Sequence, residues 1–216
     1  MFKKLLFSLL VCLQVSISEG QIFVDDVDRV AVVVIDYCVD DKGERYDMVI
    51  NQEKSSYTHQ GWQEGCLTHF KDAKLMFPMK MVNECWQAVY YFVNSKYKTY
   101  ELPESDKIKC QKFHLGKYTY ENPAYNDVII NRRAHKQIEK GGLKGDRQVY
   151  KIKWLADHIY ELETIKLPLE KDKHKEGNII RVEIIELIND NTYLYKAIFT
   201  NVEDSDYLYG LITKIE

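Results

Sequence analysis

The stretch "KIKWLADHIYEL", residues 151–162, decides the fold. Tyr150, Ile152 and Trp154 fall on one side of an alternating run, with Lys151 and Lys153 on the other. A period of two is that of a strand with one buried face. The run stops at "ADH" and restarts over 158–166, a link short enough for a hairpin. Outward from this pair, similar runs recur at roughly 113–121, 127–132, 135–140, 147–154, 158–166, 178–188, 192–201 and 205–215. Turn signals separate them: "ENPAYND", "KGGLKGD", "KDKHKEGN", "NDN" and "EDSD". Tyr193, Tyr195, Ala197 and Phe199 share a face, and "VEIIEL" breaks the alternation at Ile184 and Ile185, as a bulge does. Eight strands with hairpin-length links predict a closed up-and-down barrel, which leaves no free edge.

The first half reads differently. "RVAVVVIDYCV" is a long apolar run ending in the turn signal "DDKG". In "ERYDMVINQE", Tyr46, Met48 and Ile50 alternate with polar neighbours, which completes a hairpin. Trp62, Cys66, Phe70 and Ala73 then sit at helical spacing, with Ser56 or Thr58 as the expected cap and Pro78 beyond the end. "CWQAVYYFV" reads as a closing strand. The order strand, strand, helix, strand predicts a small α+β unit whose helix covers one sheet face. The expected organisation is a signal segment over 1–20, an α+β domain over 21–96, a polar connector over 97–109 and an all-β barrel over 110–216.

The signal rests on Lys3 and Lys4, followed by the apolar run "LLFSLLVCLQV" and the small, polar "SISEG". That run is too short to span a bilayer, which takes about 20 residues, so cleavage near Ser18 to Gly20 is expected. The residues "LLV" before Cys12 lack the small residue of a lipidation site. Loss of Lys3, Lys4 and Glu19 takes the formal charge from −3 to −4. Cys38, Cys66, Cys85 and Cys110 remain, an even number that fits disulfides in an exported chain, with three possible connectivities. No Asn-x-Ser/Thr sequon occurs, which favours a bacterial envelope. Hydrophobic residues at 45% suffice for a core, and the 29% charged residues nearly cancel, with no basic tail to suggest nucleic acid.

Two resemblances add to this reading. The Asp-Lys-Gly turn, "VINQEKSS" leading into the helix, "KLMFPMK" with its Phe77 and Pro78, and the closing strand together resemble the C-terminal domain of TonB over about 24–94. That resemblance implies an envelope protein whose sheet edge receives a strand from a partner. In the second half, "CQKFHLGKYTY", the Arg-x-x-x-x-Gln-x-Glu pattern around "RAHKQIE" and "KIKWLADHIYEL" resemble a lipocalin-like (calycin-like) barrel of small exported Bacteroidetes proteins, over about 110–216. That resemblance implies a second Cys three or four residues after Trp154, to pair with Cys110; this chain has "ADH" there.

Candidate chemistry is sparse. Cys85 before Trp86 resembles a thiol-protease nucleophile only in that pair; "MVNECW" lacks the Gly and Cys that precede such a nucleophile. It reads as a small structural residue or a disulfide half. Neither Cys-x-x-Cys nor His-x-x-x-His occurs, so no metal is expected. Asp40, Asp41 and Gly43 lack the spaced oxygens and closing Glu of a calcium loop. No catalytic residue and no cofactor is assigned. Tyr118, Tyr120, Trp154, Tyr160, Tyr193, Tyr195 and Tyr209 are expected to fill the barrel, or to line it around one small ligand.

The expected function is therefore a non-enzymatic protein of the periplasm or outer envelope of a Gram-negative bacterium. It would bind an envelope protein segment along the strand 85–94, taken as a sheet edge, with Trp86, Ala88, Tyr90 and Phe92 on one face. The alternative is a carrier holding a small apolar molecule inside the barrel. No nucleic acid and no transmembrane helix in the mature chain are expected.

Overall fold

A computed structural model describes residues 21–73, 83–121, 127–141, 146–167, 175–203 and 205–216. The signal segment and the Phe77–Pro78 pair lie outside them.

The N-terminal unit is a four-stranded mixed sheet with one helix. Its strands are β1 (Ile22–Val24), β2 (Val30–Val39), β3 (Arg45–Ile50) and β4 (Glu84–Asn94), in the order β1-β4-β2-β3. β2 is a run of β-branched residues buried on both faces, as a central strand requires. It pairs antiparallel with β4 over ten residues, Val30 opposite Val93 through Val39 opposite Glu84. The helix α1 (Gln60–Asp72) lays Cys66 and Phe70 over Val33, Ile35, Tyr37 and Phe92. Its cap is His59, whose side chain accepts from the Trp62 N–H, rather than Ser56 or Thr58. Ser55 and Ser56 instead turn their hydroxyls to β2, accepting from Val34 N and Val32 N at 2.9 Å each. They complete that strand's hydrogen bonding where β3 ends.

The position expected for the strand 85–94 is corrected. β4 is not the outer strand, because β1 adds parallel to its end, Ile22 opposite Phe92 through Val24 opposite Asn94.

The C-terminal part is a closed antiparallel barrel of eight strands among the described residues: β5 (Gly116–Tyr120), β6 (Ile129–Arg133), β7 (Lys136–Gly141), β8 (Asp146–Ala156), β9 (Ile159–Lys166), β10 (Ile179–Leu187), β11 (Thr192–Phe199) and β12 (Leu208–Lys214). Each strand pairs with its sequence neighbours, and β12 closes on β5. The chain end reinforces the closure: Lys117 N donates to Glu216 O at 2.8 Å and Ile215 N to Lys117 O at 2.8 Å. The barrel's first strand begins at Gly116, because Ile108–Phe113 winds into a 3-10 helix and plugs one end. Leu102, Cys110 and Phe113 are buried there against Tyr118, Ile130, Ile184 and Tyr193.

The segment 95–109 is folded rather than a solvated tether. Ser95–Lys98 is a 3-10 turn, and Tyr97 is buried in a third packing layer with Val93, Ile185, Leu194 and Tyr209. This seam joins the two units. Arg29 reaches across with a two-pronged ion pair to Glu186, Nε to Oε2 at 3.0 Å and Nη2 to Oε1 at 3.1 Å, and the Tyr97 hydroxyl donates to the same carboxylate. The bulge makes this possible. β10 and β11 shift register between Ile184 and Glu186, so Ile184 faces Tyr195 inside while Glu186 faces Leu194 outside. Strict alternation after Val182 and Ile184 would have aimed Glu186 into the core.

Candidate functional site

The barrel interior holds the densest chemistry. Arg132 is 2% exposed and points inward from β6. Its Nε donates to Gln137 Oε1 at 2.9 Å, its Nη1 to the Phe113 carbonyl at 2.9 Å and its Nη2 to the Tyr160 hydroxyl at 3.0 Å. The Tyr193 hydroxyl accepts from both Nη atoms at 3.2 Å. The guanidinium carbon lies 4.7 Å from the Tyr118 ring centre and 4.6 Å from that of Tyr160. Buried charge is tolerated when its donors are satisfied and aromatic faces surround it, and Arg meets both conditions here.

Gln137 passes the network on. Its Nε2 donates to Glu139 Oε1 at 2.7 Å, and the Tyr120 hydroxyl donates to the same oxygen at 3.1 Å. Among the described residues no hydrogen bond reaches Glu139 Oε2. Burial pushes this carboxyl above the ordinary Glu range, against the bonds from Gln137 and Tyr120 and the Arg132 charge. Burial likewise pushes the Tyr120 phenol well up, beside Glu139. Both therefore stay protonated more readily than in water.

The expected interior residues divide into two levels. Tyr118, Tyr160 and Tyr193 are fully buried around Arg132 and fill the plugged half. The Tyr118 hydroxyl donates to the carbonyls of Phe113 and Leu115, each at 2.8 Å. Trp154 stacks on His114 at 3.7 Å between ring centres, and its Nε1 has no hydrogen-bond partner among the described residues. Tyr120 and Tyr195 are only half-buried. Tyr195 lies across Gly210, where an added Cβ would stand 2.6 Å from its hydroxyl. Tyr209 does not face the interior: it packs edge-on against Phe23 at 5.7 Å in the seam, because Gly210 and Ile212 take the inward positions of β12.

Arg132, Gln137 and Glu139 went unassigned in the sequence reading. The Arg-x-x-x-x-Gln-x-Glu pattern was their signal. Gln137 and Glu139 are two apart on one face, and Arg132 is the cross-strand partner of Gln137. A polar residue at an alternating position reads first as solvent-facing, and only barrel closure turns that face inward.

Trp86, Ala88 and Tyr90 pack against the core beneath α1, and Phe92 is fully buried there. The Tyr90 hydroxyl meets His69 Nδ1 at 2.9 Å. A partner can therefore meet β4 through its backbone, not through these side chains. Cys38 and Cys85, opposite one another on β2 and β4, form a disulfide. Cys66 and Cys110 are free and buried. Burial pushes each thiol up to about 11, so neither is a thiolate at neutral pH. Among the described residues the outer surface includes a groove of about 390 Å³ beside Lys112 and Glu216 and one of about 460 Å³ on the β5–β8 wall.

A scan against protein-family models finds no match, and no curated protein matches the chain. Among the described residues no helix is long and apolar enough to cross a membrane. The class that fold and site define is thus a plugged eight-stranded barrel with a polar network inside, fused to a mixed α+β unit.

Proposed function

We propose that this is a non-enzymatic exported carrier, and that its barrel takes a small, mainly apolar molecule with one hydrogen-bonding end. The observation that carries the reading is Glu139. Its carboxyl is buried inside the barrel, yet among the described residues both bonds it accepts fall on Oε1. The other oxygen, Oε2, is left to accept a hydrogen bond from a ligand donor. Apolar Leu162, Val182 and Ala197 lie in the same interior cluster, with Ile180 and Tyr195 against it. Small-ligand sites combine such walls with a few placed polar groups. Phe113 plugs one end, so entry is from the other end, where β5, β7, β9 and β11 finish. The short apolar leader and the Cys38–Cys85 disulfide support export to an oxidising compartment.

The test is titration of the full chain with N-phenyl-1-naphthylamine, an apolar dye carrying one N–H. We expect saturable one-site fluorescence enhancement in the wild type and its loss in Gly210→Val, which drives Tyr195 into the interior. Circular dichroism confirms that the variant folds. Unsaturable binding, or equal binding by a folded Gly210→Val, refutes the carrier reading.

A second reading keeps the TonB-like edge. β1 covers only Phe92, Val93 and Asn94, and among the described residues no strand pairs with that side of residues 85–89. An incoming segment of an envelope protein would extend β1 along this side. Val89→Pro removes a ladder donor. Equal recovery of partners by wild type and a folded Val89→Pro would sink this reading.

A further inference from the structure

The outer wall of β5–β8 carries a one-sided cluster of cations. Its groove is lined by Lys117, Arg133, Lys136, Lys140 and Arg147 and, among the described residues, by no carboxylate. Lys117 is bonded to Glu216, but among the described residues the other four make no ion pair. The pairing register sharpens this. Arg133 stands directly opposite Lys136, Lys136 opposite Lys151, and Lys140 opposite Arg147. Like charges directly opposite across strands are destabilising. On the neighbouring strand the acids are engaged: Glu163 is paired with Lys151, and Glu161 with Arg181. All this occurs in a chain whose net charge is −3. Between the cations the groove exposes Ile129 and, in part, Ile138.

We propose that this wall is a docking surface for a bilayer bearing anionic headgroups. Three features select a lipid surface over an acidic protein segment. First, every strand of the wall is paired on both sides in a closed ring, so an extended peptide has no edge to join. Second, four of the five cations sit on long stems with no ion pair among the described residues to orient them, which suits a field of headgroups more than one fixed sequence. Third, exposed isoleucine between lysines matches an interface with acyl chains below and charge above. The surface is separate from the interior site and does not depend on the carrier reading.

The test is co-sedimentation of the full chain with vesicles of phosphatidylglycerol and phosphatidylcholine, against vesicles of phosphatidylcholine alone. We expect binding to the anionic vesicles only, weakening as salt rises. The exposed pair Lys136→Gln and Lys140→Gln should lower the partition coefficient about thirtyfold, equivalent to about 2 kcal/mol at about 1 kcal/mol per cation. Lys42→Gln with Lys71→Gln removes the same charge elsewhere and should leave partition unchanged. Unfolding midpoints confirm that both double variants fold. Equal loss in both variants, no loss in either, or equal binding to neutral vesicles overturns the proposal. So does displacement by inorganic phosphate at matched ionic strength, which makes the groove a free-phosphate site. Capture of soluble polyglutamate without vesicle binding overturns it in favour of an acidic protein partner.

Discussion

Glu139 is where the barrel's chemistry can be read by pH. Its native carboxyl binds a proton more tightly than the unfolded chain does, because burial raises it above the ordinary value. Its contribution to stability is then fully present below the ordinary Glu range, about pH 4.3. It is lost as pH rises through the raised native value, where the folded state releases the proton and must carry a buried charge. Urea unfolding of Glu139→Gln across this range should show a flatter pH dependence than the wild type, most visibly above the ordinary carboxylate range. An unchanged slope places the titration elsewhere. This residue was hidden in the sequence for a physical reason. "RAHKQIE" mixes charge and alternation, and the lysines of β7, Lys136 and Lys140, mark a wet face as clearly as Gln137 and Glu139 mark a dry one. Which of the two faces turns inward is set by the aromatic residues of other strands, Tyr118, Tyr160 and Tyr193, gathering around Arg132.

Individual elements were more legible. The barrel strands announce themselves by alternation, and the irregularity in "VEIIEL" falls where β10 and β11 change register. Three pieces were not readable. β1 is three residues long, too short for any period to show. Phe113 shares the apolar spacing of the strand expected over 113–121, yet it ends the 3-10 helix Ile108–Phe113, which no period announces. Segment 95–109 is polar in composition and mostly exposed, yet two buried apolar anchors, Tyr97 and Leu102, hold it against the fold. Within the N-terminal sheet, the element with a measurable cross-link is the β2–β4 pair. The Cys38–Cys85 bond links residues 47 apart in sequence, and a disulfide typically stabilises by about 2–4 kcal/mol, with a loop of this length at the upper end. Replacing both cysteines by Ser should lower the unfolding free energy of the N-terminal unit by that amount, read from urea curves with and without reductant. Reductant should then have no effect on the variant.

At the scale of the whole molecule the question is how independent the two units are. Each has its own core, one around Val33, Ile35 and Phe92, the other around Arg132 and its tyrosines. Separately expressed 21–96 and 107–216 should each give dispersed amide spectra. The second should be markedly less stable than in the full chain, because Ile185, Leu194 and Tyr209 lose their cover and each buried side chain of this kind contributes about 1.5–3 kcal/mol. In the intact chain the seam has its own pH response. Burial pushes Glu186 up, but bonds from Arg29 and Tyr97 outweigh it and hold the carboxyl below its ordinary range. Its stabilisation is present above that range and is lost as pH falls through the lowered value. Acid should therefore loosen the seam before the barrel, seen as earlier proteolysis near Tyr97, and Glu186→Gln should be loose at every pH. The ring order carries one more consequence. The seam is centred on β11, and in a ring of eight the strand four steps away in either direction is β7, which carries Lys136 and Lys140. The α+β unit is thus clamped to the far side of the cylinder from the cationic wall, through packed side chains rather than a leash. A surface in contact with the basic strand would have the mixed sheet held a full cylinder's width away, with the lumen in between.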